Sequence, residues 1–297
     1  MYADDTNLIA KGKQLNQLIS ILNSELSVLS DYFKANKLKL NADKTKLVCF
    51  RKRNLPFNSE LTVTLDGTGL QWDRSATFLG VTLDENLSWE LHCNKVANKM
   101  AQGAGILNRV KNLLPMTPLC TLYNSFIFSH YSYCLEAWGA CQPKFLKRIV
   151  GIQKKAVRSI TKSHWLAHSE PRMKKHKILK FNDQHYLQSL SLMYDMLKNQ
   201  CPDIYNLRSN LNRNNSNHAT RSQTDNPTNL RLPSYNISKL KTTFLSQIPD
   251  LWNKLDETKN AKTRKSFKTS LKTTMLTDYC DKVKCSNPRC TDQRSDI

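Results

Sequence analysis

No stretch of the 297 residues approaches the roughly 18 consecutive apolar residues that a bilayer-crossing helix needs, and no basic-then-apolar leader opens the sequence. A spanning or secreted protein is not the expectation; a soluble, intracellular protein of the cytoplasm or nucleus is. Acidic residues are scarce, 24 Asp plus Glu against 45 Lys plus Arg, which leaves a formal net charge of +21. Such a surface attracts polyanions over much of its area, and nucleic acid is the natural partner. A membrane surface would attract the same charge, but neither span nor leader accompanies it. No internal repeat of fixed period occurs, so a repeat architecture is not indicated. Paired cysteines at metal-binding spacing are also missing. The nine cysteines are spread along the chain, and their odd number argues for reduced thiols. Cys280, Cys285 and Cys290 stand at five-residue intervals, wider than the two to four usual in a zinc set, and the last histidine is the distant His218. They read as tail thiols rather than a metal site.

What is present is length and order. A chain of this size can bury a sizeable core and could hold two or three domains at about 150 residues each. Thr6-Asn7-Leu8-Ile9-Ala10 alternates as a strand, directly after the adjacent carboxylates Asp4 and Asp5. Leu15, Leu18, Ile19, Leu22, Leu26, Leu29 and Phe33 then recur at three- and four-residue steps, which predicts one face of a helix from Gln14 to Ala35. That face must pack against something flat. Leu38 and Leu40 alternate with lysines, Asn41-Ala42-Asp43 reads as a turn, and Leu47 to Phe50 as a strand. Two more strands are expected over Leu61 to Leu65 and Thr77 to Leu83, separated by an Asp66-Gly67-Thr68-Gly69 turn. Helices follow over Trp89 to Leu114, Leu119 to Trp138, Lys144 to Ile160 and Phe181 to Lys198, punctuated by Pro115, Pro118, Pro143 and Pro202. Asn206 to Ser238 is polar and reads as a linker, and one or two short helices are expected beyond it around Trp252 and Phe267. The fold class is α+β.

Taken in order, several stretches resemble the reverse transcriptase of a non-LTR, LINE-like retrotransposon, from its metal-binding hairpin onward. Tyr2-Ala3-Asp4-Asp5-Thr6 resembles the metal-binding motif, and Leu38 to Thr45, containing Lys44, the motif after it. Phe78-Leu79-Gly80-Val81-Thr82-Leu83-Asp84, with Leu87, Trp89 and His92, resembles the primer grip and the start of the thumb. Trp252-Asn253 and Ser266 to Lys272 resemble stretches found after the polymerase core. Each motif is short and weak alone; the order and spacing give them force.

The resemblance implies an incomplete palm over residues 1–92, a thumb-like helical region over 93–165, a helical extension over 166–205, a flexible linker over 206–238, and basic C-terminal helices and tail over 239–297. It implies that Asp4 holds catalytic Mg2+ with Asp5 in support, two ions clamping the attacking and leaving oxygens of nucleotidyl transfer. Lys44 would protonate or steady the pyrophosphate; its plain reading is an exposed turn lysine. Phe78, Leu79 and Gly80 would grip the primer strand, and their plain reading is a buried strand. Lys95, Lys99, Arg109, Lys111, Lys144, Lys147, Arg148, Lys154, Lys155 and Arg158 would lie along the backbone of an RNA template and DNA primer duplex, the expected partner. Otherwise they form a solvated basic face. Gln102-Gly103 resembles the family's nucleotide-binding motif but falls on the wrong side of the Asp-Asp pair, so it is a decoy. The family's other metal-binding aspartate and its fingers would precede Met1, so the chain alone is expected to be inactive, as a decayed element or a gene model that starts late. A non-catalytic basic nucleic-acid-binding module is the alternative.

Overall fold

The computed structural model describes residues 6–55, 61–198, 230, 244–255 and 257–280. Its chain divides into two units, Met1–His92 and Cys93–Ile297. Small antiparallel sheets and many helices make it an α+β protein. Among the described residues no helix is long and apolar enough to cross a membrane.

In the first unit, α1 (Leu15–Ala35) forms where the three- and four-residue spacing places it. Its apolar face covers a hairpin of β1 (Val63–Leu65) and β2 (Thr68–Leu70), where Ile19 joins Val63, Leu65 and Leu70 in a buried cluster. Leu65 pairs with Thr68, so the turn is only Asp66-Gly67, both at positive φ (50° and 80°), the backbone that an Asp-Gly pair accommodates in a tight hairpin. Asp66 is tied back to α1: Lys34 Nζ donates to it at 2.8 Å and Ser30 Oγ also donates, which holds its carboxyl below the usual range. Asn23 Oδ1 accepts from the Thr64 amide at 2.9 Å, satisfying a β1 donor with a helix side chain.

Several expected strands change form. Thr6–Ala10 is not a strand, because no other described strand lies alongside to take its backbone groups. Leu47 to Phe50 reduces to one bridge, Leu47 to Trp72, with the Asp73 amide donating to Leu47 at 2.8 Å. The strand predicted over Thr77 to Leu83 is instead a hairpin, β3 (Ser75–Phe78) and β4 (Val81–Asp84), turning at Leu79-Gly80 with φ 43° and 80°. The alternation was legible; the fold at its middle needed a glycine to be read as a turn rather than as strand.

In the second unit, α2 (Glu90–Val110), α3 (Met116–Tyr123), α4 (Ser129–Ser132), α5 (Leu135–Trp138), α6 (Pro143–Ile160), α7 (Glu170–Lys175), α8 (Phe181–Leu197), α9 (Phe244–Asn253) and α10 (Arg264–Thr277) follow in order; α2 begins within the first unit. The single helix expected over Leu119 to Trp138 is three, joined by a π turn at Asn124–Phe128 and broken where Cys134 takes φ 48°. Pro118 does not stop a helix but sits in the first turn of α3, where its missing N–H has no partner to lose. At α2, Gly103 lies so close to the π turn that a Cβ there would stand 2.6 Å from the Phe126 carbonyl oxygen.

At the centre, Gln153 of α6 spans four groups. Its amide nitrogen donates to the Leu179 carbonyl (2.9 Å) and lies 3.0 Å and 3.3 Å from the Tyr131 and Tyr123 hydroxyls, while its oxygen accepts from the Phe181 amide at 3.0 Å. Burial pushes both tyrosine hydroxyls above their usual range, so they stay protonated and available to this network.

The C-terminal stretches dock on α8. Tyr194 stacks on Phe267 with ring centres 4.8 Å apart, Trp252 meets the same ring at 5.9 Å, and Arg264 pairs with the buried Asp195 at 2.9 Å. Tyr279 enters the α7–α8 junction: its hydroxyl accepts from the Lys180 amide at 2.7 Å and donates to Asp183, and Lys180 Nζ lies 4.4 Å from its ring centre. Among the described residues, Cys49, Cys93, Cys120, Cys134, Cys141 and Cys280 form no disulfide with one another.

His185 of α8 packs so tightly on Gly139 that a Cβ there would stand 2.4 Å from its ring, and among the described residues its Nε2 has no hydrogen-bond partner. Burial pulls its pKa down to about 4. The unfolded chain takes up this proton near pH 6.5 and the folded one only near 4, so the histidine's contribution is whole above pH 6.5 and drains away as the pH falls to 4. Denaturation at pH 7 and pH 4.5 is expected to show about 2 kcal/mol of acid destabilisation in the wild type that His185→Gln lacks. Equal pH slopes in the two proteins would contradict it.

Candidate nucleic-acid interface

Asp4 and Asp5, the residues that resemblance assigns to magnesium, lie outside the described residues, as do Tyr2, Cys285 and Cys290. Among the described residues no group of three or more His, Cys, Asp or Glu side chains could hold a metal ion.

In the first unit, Lys44 closes a 3-10 turn, Ala42–Lys44, whose N-cap Asn41 accepts from the Lys44 amide at 3.2 Å; its side chain is exposed. Phe78, Leu79 and Gly80 form the tip of the β3–β4 hairpin, with Phe78 and Gly80 exposed and Leu79 half-buried. Leu79 and Gly80 are a turn and Phe78 is the exposed end of β3, so none of them is the interior of a buried strand. At the base of the same hairpin stands a residue for which no role was foreseen. Asp84, buried, accepts from the amides of Asn86 (3.2 Å), Ser88 (3.0 Å) and Trp89 (3.0 Å) and from the Ser88 hydroxyl (3.2 Å). One carboxylate thus holds a connection in which Leu87 and Trp89 both take positive φ. The run of Asp, Asn and Ser at alternate positions was the available signal. His92 adds a second tie, its Nδ1 accepting from the Thr82 amide at 3.2 Å.

In the second unit, the basic residues expected along nucleic acid fall on α2, on α6, and at Lys111 just past α2. Lys95, Lys99, Arg109, Lys147, Arg148 and Lys155 are exposed, and Lys111, Lys154 and Arg158 are half-buried. The two helices share a polar border, where Arg148 donates to Asn98 Oδ1 at 2.7 Å. The positive field is felt locally: burial and the nearby Lys99 hold His130 below the usual histidine pKa.

Only part of this set converges. A groove of about 1200 Å3 runs between α2 and α6, floored by Ala101, Ala104 and Gly105 and lined by Lys111, Lys155 and Arg158. Small residues on α2 leave the space, and α6 supplies charge to its wall. Its far side is the loop after α6, with His164, Trp165 and Leu166. Among the described residues no acidic side chain lines it. Lys95, Lys99, Arg109, Lys147 and Arg148 lie outside this lining, and Lys154 faces a small cavity beside Glu170 and Lys180 instead. Trp165 and His164 were not singled out, because a lone aromatic in a polar loop carries no periodicity.

The chain is 25% identical over 197 residues to the RNA-directed DNA polymerase from mobile element jockey of Drosophila melanogaster, a match covering 65% of this chain and 21% of that protein. It is 29% identical over 166 residues to the probable RNA-directed DNA polymerase from transposon BS of the same organism, covering 54% of this chain and 18% of that one. With the probable polymerase from transposon X-element, also of that fly, identity is 26% over 141 residues, 46% of this chain and 15% of the relative. The chain thus spans about a fifth of the length of the curated relatives it matches. No family model matches, and no solved structure does.

Proposed function

We propose, from its kinship with the RNA-directed DNA polymerases of non-LTR, LINE-like retrotransposons, that this chain supplies the later palm, thumb and C-terminal part of such an enzyme and holds its template and primer nucleic acid through its second unit. The observation that carries the reading is the acid-free groove between α2 and α6, which gathers Lys111, Lys155 and Arg158 in a chain of net charge +21. Cations on the flanking helix faces extend the path available to a phosphate backbone, holding register without reading sequence. The tip Phe78-Leu79-Gly80 is the primer grip in this reading, Lys44 the residue near pyrophosphate, and Asp4 with Asp5 the magnesium ligands. For these last two the support is resemblance alone. Nucleotidyl transfer needs groups from more than one part of a polymerase, and this chain matches about a fifth of its relatives, so by itself it incorporates no nucleotide. A non-catalytic nucleic-acid-binding module is the second reading. The fact favouring it is that the groove lies wholly within Cys93–Ile297 and uses none of the residues assigned to catalysis.

The test joins two measurements. Binding of an RNA–DNA hybrid, followed by fluorescence anisotropy, is expected to weaken about a hundredfold between 50 and 200 mM salt if about four phosphates are contacted. Primer extension on an RNA template with Mg2+ is expected to show no incorporation. Incorporation that Asp4→Asn abolishes would overturn the inactivity, and failure to bind the hybrid at low salt would overturn the nucleic-acid reading.

A further inference from the structure

Trp165 is 65% exposed and Leu166 beside it 54% exposed, an unusual concession for two large apolar side chains that adjoin a groove with room for them. Of the chain's five tryptophans, Trp72, Trp89, Trp138 and Trp252 are buried or half-buried; Trp165 alone is exposed. The exposure is built in by its loop. The Ser163 amide donates to the Arg158 carbonyl at 3.0 Å, and the hydroxyls of Thr161 and Ser163 lie 2.9 Å apart. Beyond Trp165, the Ala167 amide donates to the His164 carbonyl at 3.0 Å, and Arg158 Nε donates to the Ala167 carbonyl at 2.6 Å. Arg172 fastens the loop from below, donating to the Ser163 hydroxyl at 2.5 Å and to the His168 carbonyl. These bonds fix the backbone on both sides of Trp165, so the indole is presented at the groove by a rigid loop. The imidazole of His164, its ring centre 5.8 Å away, extends the aromatic surface.

We infer that the groove takes an unpaired nucleotide strand, one base stacking on Trp165 while its phosphates lie against Lys111, Lys155 and Arg158. Charge selects a polyanion, because the lining gathers these cations and, among the described residues, no carboxylate. The aromatic selects its form. Bases inside a duplex have both faces covered by their neighbours and can offer an indole only edges and backbone, whereas an unpaired base has a face to give. The floor of Ala101, Ala104 and Gly105 carries no side chain long enough to fill the space, so a strand can approach the backbone of α2 closely. This inference rests on the nucleic-acid reading above and deepens it, assigning the groove to single-stranded substrate and leaving the duplex to the flanking basic faces.

The full chain is titrated at low salt with two probes, (dT)12 and a 12-base-pair RNA–DNA hybrid, reading both anisotropy and tryptophan emission. Trp165→Ala is expected to lower the ratio of (dT)12 affinity to hybrid affinity about tenfold and to remove most of the emission quenched by (dT)12; Trp165→Phe, which keeps an aromatic face, is expected to hold the ratio within about threefold. A ratio unchanged by Trp165→Ala, with both probes still bound, would overturn the stacking site and leave the proposed function standing. Binding of neither probe would overturn the proposed function and this inference with it. Solvent-shielded Trp165 emission before any probe is added, the difference spectrum between wild type and Trp165→Phe showing it, would mean that another segment of the chain fills the groove, and would overturn the inference.

Discussion

Lys111→Glu with Lys155→Glu lowers the affinity of the chain for nucleic acid about a hundredfold at 0.1 M salt. Each phosphate contact contributes nearly one power of the salt concentration to the binding constant, hence close to tenfold at that salt, and two contacts are removed. The log–log salt slope should become shallower by about two as well. Both residues line the groove, Lys155 with an exposed ammonium and Lys111 held by Asn108 Oδ1 at 2.9 Å, so neither is needed to close the core. The control is Lys37→Glu with Lys39→Glu, exposed residues in the first unit that change the net charge by the same amount. These should cost less than about threefold, since neither residue lines the groove. Equal losses from both pairs, measured by anisotropy, would show that attraction comes from diffuse charge and not from the groove.

Gln153→Leu removes about 3 to 4 kcal/mol from the stability of the second unit. Leucine nearly matches glutamine in volume, so the loss is one of hydrogen bonds rather than of packing. The Phe181 amide and the Leu179 carbonyl, backbone groups at the start of α8, lose the one side chain that serves both, and a buried group left unmade costs about 1 to 3 kcal/mol. The two tyrosine hydroxyls keep each other at 3.4 Å, which limits the damage on that side. Urea denaturation read by tryptophan fluorescence gives the value. A loss below about 1 kcal/mol would mean that water enters and takes over the amide's role.

The sequence was legible where one physical rule acted alone. The spacing of Leu15 to Phe33 specifies α1 because its apolar stripe has only one way to be buried, and Asp66-Gly67 specifies a tight turn because few other pairs tolerate two positive φ values. Pro143 marks the start of α6 by the same economy, a residue without an N–H placed where none is needed. Where several rules competed, reading failed. Alternation at Thr6–Ala10 satisfies the pattern of a strand, but a strand is a property of two segments, and pattern in one cannot supply the other. Pro118 satisfies the rule for a helix breaker and the rule for a helix start, and only the position of Pro115 as N-cap decides between them. Glu170–Lys175 was missed because six residues carry too little periodicity to register.

The candidate interface divides in the same way. That the helices carry basic faces was legible, since charge is read directly from residue type. Which of those cations meet was not, because convergence depends on where α2 and α6 come to border each other, as at Arg148 and Asn98, and residue type does not state that. The stretches around Trp252 and Phe267, which carried resemblance but no chemistry, prove to be packing surfaces: Phe267 stacks on Tyr194, and Trp252 meets the Phe267 ring.

The mooring of Tyr279 has a topological corollary. It fastens Lys180 and Asp183 to a residue 99 and 96 positions further on, while Asn253 grips both backbone groups of Leu230 at 2.7 and 2.9 Å. The start of α8 is therefore held by the far end of the chain, so Tyr279→Ala should loosen the α7–α8 junction as well as the end on which that tyrosine sits.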